Sequence, residues 1–160
     1  MIINIKPEIL LRKEEHYVSI LNKIKREDIP SELPPLIPEL FNWLNKKNIQ
    51  PAGAPFFNYV NMRNEQLEVE VGIPIGSYIN GDDRVYPGIF PAGKYAVAQY
   101  TGPYNKLFDV NIAIEKWKDE NNLKFKSPKV EFYSTNTVVE PNPEKWVTII
   151  INRIDESENF

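Results

Sequence analysis

Two stretches of this chain carry the same order of hydrophobic periods, strand then helix then two strands, and that repetition narrows the possible folds more than any other feature. In the first stretch His16 to Leu21 alternates as a strand does, and Pro34 to Lys47 sets Leu36, Ile37, Leu40, Phe41 and Leu44 at helical spacing. The helix exit Lys46-Lys47-Asn48 puts cations at the negative end of the helix dipole, and Pro51 and Gly53 follow as breakers. Phe56 to Val60 and Leu67 to Ile73 then read as two strands joined by the polar Asn61 to Gln66. In the second stretch Lys94 to Ala98 is the strand and Lys106 to Asn121 the helix, with Leu107, Val110, Ile114 and Trp117 on one side. Val130 to Ser134 and Trp146 to Ile151 are its two closing strands.

The pattern predicts an α+β domain over residues 1–154: repeat one about 1–76, a linker about 77–90, repeat two about 91–154, and a polar, frayed tail at 155–160. Ile79 to Ile89, rich in Gly, Asp and Pro, reads as the linker or as a flap. A tandem strand-helix-strand-strand repeat implies pseudo-twofold symmetry, with two helices on one face of a shared antiparallel sheet. The other face is then solvated or forms a groove for a ligand. Alternation gives Glu68 and Glu70 to that open face, while Val69, Val71 and Ile73 point into the helix-side core.

Several chemistries are excluded. No apolar run approaches the length of a bilayer crossing, and the first residues lack the basic leader and apolar stretch of a signal peptide, so a cytoplasmic location without membrane association is expected. The absence of cysteine removes disulfides, thiolate nucleophiles and cysteine-based zinc sites. His16, the single histidine, rules out paired-histidine metal motifs and reads as a surface residue beside Glu14 and Glu15. Gly72 and Gly76 are isolated and no Gly-Lys-Ser/Thr follows, so no cofactor is called for. A formal net charge of -3 with mixed signs offers no basic stripe for direct nucleic-acid binding.

Three stretches resemble the GyrI-like (gyrase-inhibitor-like) family. Pro91-Ala92-Gly93-Lys94-Tyr95-Ala96-Val97, followed by Gly102-Pro103-Tyr104, is similar to the family's glycine turn, strand and Gly-Pro-Tyr step into the second helix. Pro51 to Tyr59 and Leu67 to Ile75 look like its first-repeat hairpin, and the resemblance runs from about Lys13 to Ile154. It implies the drug- or effector-sensing domain of bacterial transcription regulators, as in AraC-type regulators, a domain that also occurs alone. The few residues before His16 leave no room for a DNA-binding helix-turn-helix, so a stand-alone sensor or scavenger of lipophilic or aromatic compounds is expected. Many members carry a glutamate in the last strand that meets cationic ligands, whereas this chain reads Trp146-Val147-Thr148-Ile149. Isoleucine leaves that wall neutral, and the ligand is neutral or cationic according to whether another acid takes over.

Glu70, Glu68 and Glu131 are the candidate acids, each set against the plainer reading of a solvated sheet face. Phe57, Tyr59, Tyr100, Tyr104, Tyr133 and Trp146 are the candidate aromatic lining, with Ile149 as the apolar wall. Alternation divides these rings between two faces, so some must be core. Binding ranks ahead of catalysis, and no catalytic residue is assigned. The alternatives are a hydrolase of small electrophilic compounds, using a groove glutamate and tyrosine, and a protein-partner role such as gyrase inhibition.

Overall fold

The computed structural model describes residues 5–157. In chain order its elements are β1 Glu8–Arg12, β2 Glu15–Ile24, α1 Ile29–Glu32, α2 Leu36–Lys46, β3 Phe56–Asn61, β4 Leu67–Ile75, β5 Tyr86–Phe90, β6 Gly93–Thr101, α3 Leu107–Glu120, β7 Phe125–Tyr133 and β8 Val147–Ile154. All named strand pairs within the two units below are antiparallel. Both strand-helix-strand-strand stretches are present, and the class is α+β.

The elements group into two compact units, residues 13–92 and residues 1–12 with 93–160. In the unit of residues 13–92 the strand order is β3-β4-β2-β5. One sheet face carries Val18, Ile20, Val69, Val71 and Ile73, each 1% exposed or less, and Phe57 lies on it opposite Val71. Helix α2 packs on β4 and buries Leu40 and Leu44, so its apolar stripe meets this aliphatic face, as the spacing of its leucines requires. Asn48 closes the helix with φ of 57°, a left-handed stop that the Lys46-Lys47-Asn48 exit foreshadows.

In the unit of residues 1–12 and 93–160 the order is β1-β6-β8-β7. Here α3 places Leu107, Val110 and Ile114 against Ala98 and Ile150. The registers Ala98↔Ile150↔Glu131 and Tyr100↔Thr148↔Tyr133 put all six of those residues on the helix-covered face. The opposite face carries Tyr95, Val97, Ile149, Ile151 and Phe132.

Two segments depart from the sequence expectation. The stretch read as linker contains β5, which pairs with β2 from Glu15↔Phe90 to Ser19↔Tyr86. Its Pro87 and Gly88 disguise it, yet a proline is tolerated at the sheet edge that β5 occupies. The start of the chain, assigned to repeat one, supplies β1, which pairs with β6 from Glu8↔Val97 to Arg12↔Gly93. His16 is half-buried in β2 rather than exposed. Asp155, placed in the frayed tail, accepts from Ser157 and donates its backbone N–H to the Lys124 carbonyl at 2.8 Å, while residues 158–160 lie outside the described residues.

Candidate functional site

On the face of the 13–92 unit opposite α2, alternation brings Glu70, Asn58, Ser19, Tyr17 and Phe56 to one side of three adjacent strands. Glu70 sits on β4 directly across from Asn58 on β3. Its Oε1 accepts from the Tyr17 hydroxyl at 2.8 Å and from Asn58 Nδ2 at 2.8 Å, and its Oε2 accepts from the Ser19 hydroxyl at 3.0 Å. All three donors are neutral and buried, at 6%, 6% and 2% exposure, whereas Glu70 is half-buried. Among the described residues no cation pairs with this carboxylate. The Tyr17 phenol is pushed far above its ordinary range, first by burial and then by the neighbouring Glu70 charge, so it stays a donor.

The aromatic surroundings come from pairing rings with glycines. Tyr17 lies opposite Gly88, where an added Cβ would fall 2.3 Å from the tyrosine ring, and Phe56 lies opposite Gly72, where it would fall 2.3 Å from the phenylalanine ring. With no side chain beneath them, both rings lie down on the sheet. They meet edge to face at 5.0 Å, and Phe90 joins them at 4.4 Å from Tyr17 and 5.0 Å from Phe56. Phe56 and Phe90 are 0% and 3% exposed, so the three rings pack as core and Glu70, half-buried, is the charged group that this face presents.

The remaining sequence candidates separate from this group. Glu68 shares the Glu70 face but lies at the strand end across from Lys23 and Asn61. Phe57 and Tyr59 lie opposite Val71 and Val69, on the helix-side face, and so do not join Glu70. In the other unit Glu131 is 3% exposed and accepts from the Tyr133 hydroxyl at 2.8 Å and Asn111 Nδ2 at 3.0 Å, on the face that α3 covers. Tyr104 stacks between Tyr133 at 5.4 Å and Trp146 at 4.8 Å, and burial raises its phenol. Trp146 donates Nε1–H to the Glu140 carbonyl at 2.7 Å, and Tyr100 donates to the Pro103 carbonyl at 3.0 Å, closing the Gly102-Pro103-Tyr104 turn. Ile149 lies across from Phe132 on the face away from α3, where the Arg12 guanidinium stands 5.8 Å from the Phe132 ring and 5.9 Å from the Tyr95 ring. Tyr17, Ser19, Phe56, Asn58 and Phe90 lie outside the sequence candidates, although the alternation of Tyr17 and Ser19 with Val18 and Ile20 is a signal for the first two.

The GyrI-like small molecule binding domain family matches residues 15–155. The chain belongs to the GyrI-like family. The C-terminal domain of EcmrR superposes on this GyrI-like domain with a TM-score of 0.81 at 14% identity, over 96% of this chain and 99% of that one. EcmrR in its complex with DNA gives 0.80 at 16% identity over 94% of this chain, which spans 57% of the EcmrR chain. SAV2435 bound to tetraphenylphosphonium gives 0.67 at 10% identity, over 96% of each chain. At such identities the likeness is one of fold. No curated protein sequence matches the chain. Among the described residues, no helix of this GyrI-like domain is long and apolar enough to cross a membrane, and no cluster of three metal-ligating side chains occurs.

Proposed function

We propose that this GyrI-like domain binds lipophilic, aromatic small molecules that carry positive charge, as a sensor or scavenger, with Glu70 as the counter-ion. The single observation that supports this reading most is the Glu70 carboxylate itself, half-buried and held by three neutral donors with no described cation on it. A carboxylate so placed favours a cation over a neutral compound of the same shape, because the neutral compound leaves the charge without a counter-ion. The family resemblance implies a last-strand glutamate for this purpose in many members. The first-repeat acid takes its place here, while the wall at Ile149 is apolar and has the Arg12 cation nearby.

A naphthyl series tests the proposal: dimethyl(naphthylmethyl)amine and its quaternary trimethylammonium analogue as cations, methylnaphthalene as the neutral member and naphthylacetate as the anion. Each is titrated calorimetrically into the wild-type protein and Glu70→Gln. Binding of at least one cation, lost by tenfold or more in Glu70→Gln and absent for naphthylacetate, is the expected result. Equal binding of the neutral and cationic members, indifferent to Glu70→Gln, overturns it in favour of a neutral apolar site at Ile149.

A further inference from the structure

We propose that the cation accepted beside Glu70 carries its own N–H, so that protonated amines and amidinium groups form the ligand class of this site, ahead of quaternary ammonium and phosphonium ions. The inference rests on the reading of Glu70 as counter-ion given above and adds a requirement to it. An ionised carboxylate offers about four lone-pair positions over its two oxygens. Oε1 has both of its positions taken, by Tyr17 and Asn58, whereas Oε2 has one taken, by Ser19. One acceptor position therefore stays open, and it belongs to Oε2. The other charged groups on this sheet face, Glu15, Lys23 and Glu68, lie toward the strand ends, and no described hydrogen bond joins them to Glu70.

A protonated amine fills that position with a charge-assisted N–H···O⁻ bond and brings the counter-charge at the same point. A quaternary ion presents only C–H groups around its charge. It balances the carboxylate electrostatically but covers Oε2 without supplying a donor, which leaves a desolvated lone pair behind. Tyr17, Asn58 and Ser19 come from two strands flanking β4 and fix the plane of the carboxylate, so the open position is not free to swing toward another partner. SAV2435 holds tetraphenylphosphonium, a cation with no N–H at all. The valence left at Oε2 separates the present chain from that preference.

The test is the affinity ratio of dimethyl(naphthylmethyl)amine to its trimethylammonium analogue, measured by calorimetry on the full chain across a pH series. The amine is expected to bind about tenfold or more tightly than the quaternary ion, the size of a hydrogen bond to a charged group. Its affinity falls above the amine's own pKa while that of the quaternary ion stays flat, and Glu70→Gln brings the two together. Equal affinities, or tighter binding of the quaternary ion, with both lost in Glu70→Gln, overturn the N–H requirement while the counter-ion role of Glu70 stands. Failure of both cations to bind the wild type overturns both readings.

Discussion

The Tyr17 hydroxyl reaches four residues along the sheet to donate to Glu70 at 2.8 Å: Tyr17 lies across from Pro74, and Glu70 lies across from Leu21. That diagonal reach is possible because Gly88 lets the ring lie flat. Tyr17→Phe keeps the ring and removes the donor, and a hydrogen bond to a charged group is worth about 1.5 to 3 kcal/mol. Chemical denaturation is expected to show a stability loss in that range at neutral pH, with the fold retained.

The same pair predicts an alkaline limb. Burial, and then the Glu70 charge, hold the folded-state phenol above its ordinary value of 10.0, so the unfolded chain releases this proton first as pH rises. The stability that Tyr17 contributes is complete below about pH 10 and is lost progressively above it. Tyr104 adds to the limb in the same sense through its own burial. Urea midpoints measured from pH 8 to 11 should fall more steeply for the wild type than for Tyr17→Phe.

Gly88→Ala and Gly72→Ala are expected to destabilise by about 1 to 3 kcal/mol, the usual cost of forcing extra volume into a packed site. The added methyl would meet Tyr17 at Gly88 and Phe56 at Gly72, both at 2.3 Å. The two changes differ in function. Gly88→Ala displaces the Tyr17 hydroxyl from Glu70 and weakens binding of the naphthyl cations, whereas Gly72→Ala acts on Phe56 and the Val18 carbonyl and leaves the hydrogen bonds to Glu70 in place. Calorimetry on both variants checks the distinction.

Glu131 is a buried acid under α3, and its role is expected to be structural. Glu131→Ala removes the charged acceptor of the Tyr133 hydroxyl and the Asn111 amide, at about 1.5 to 3 kcal/mol for a hydrogen bond to a charged group. A lowered melting temperature with unchanged affinity for the naphthyl cations is the expected outcome. An affinity loss without a stability loss would assign it to the ligand.

Asp82 ties the segment ahead of β5 to α2 by accepting from Trp43 Nε1–H at 2.7 Å and from Lys47 Nζ at 2.6 Å. The Lys47 ammonium, and after it the Trp43 indole, hold the Asp82 carboxyl below the ordinary range, so the tie persists at neutral pH and is lost only as acid protonates it. Asp82→Ala should make the Arg84 bond a fast site of tryptic cleavage, read by mass spectrometry over a time course.

Periodicity carried the strands and helices with strong alternation or helical spacing, and it also carried the face assignment of Glu70, because the side-chain period of a strand is fixed at two. It failed where local composition opposes the tertiary outcome. Glu8-Ile9-Leu10-Leu11-Arg12 has no alternation, and it becomes a strand only through the edge that β6 offers. Tyr86-Pro87-Gly88-Ile89-Phe90 has the composition of a turn, and it becomes a strand through β2. The donors around Glu70 were hidden for a related reason. Tyr17, Ser19 and Asn58 are brought to Glu70 by strand pairings as far as 53 positions apart in the chain, and register across such distances is not written in any local window.

The pairing of β1 with β6 makes Glu8 to Arg12 wait during synthesis for a partner that starts at Gly93. During translation the intervening 13–92 unit has all of its own strands and can close before β6 is made. The other unit is therefore assembled from segments on either side of residues 13–92, and a fragment beginning at residue 93 would emerge with the edge of β6 bare, an open template for pairing with a second chain.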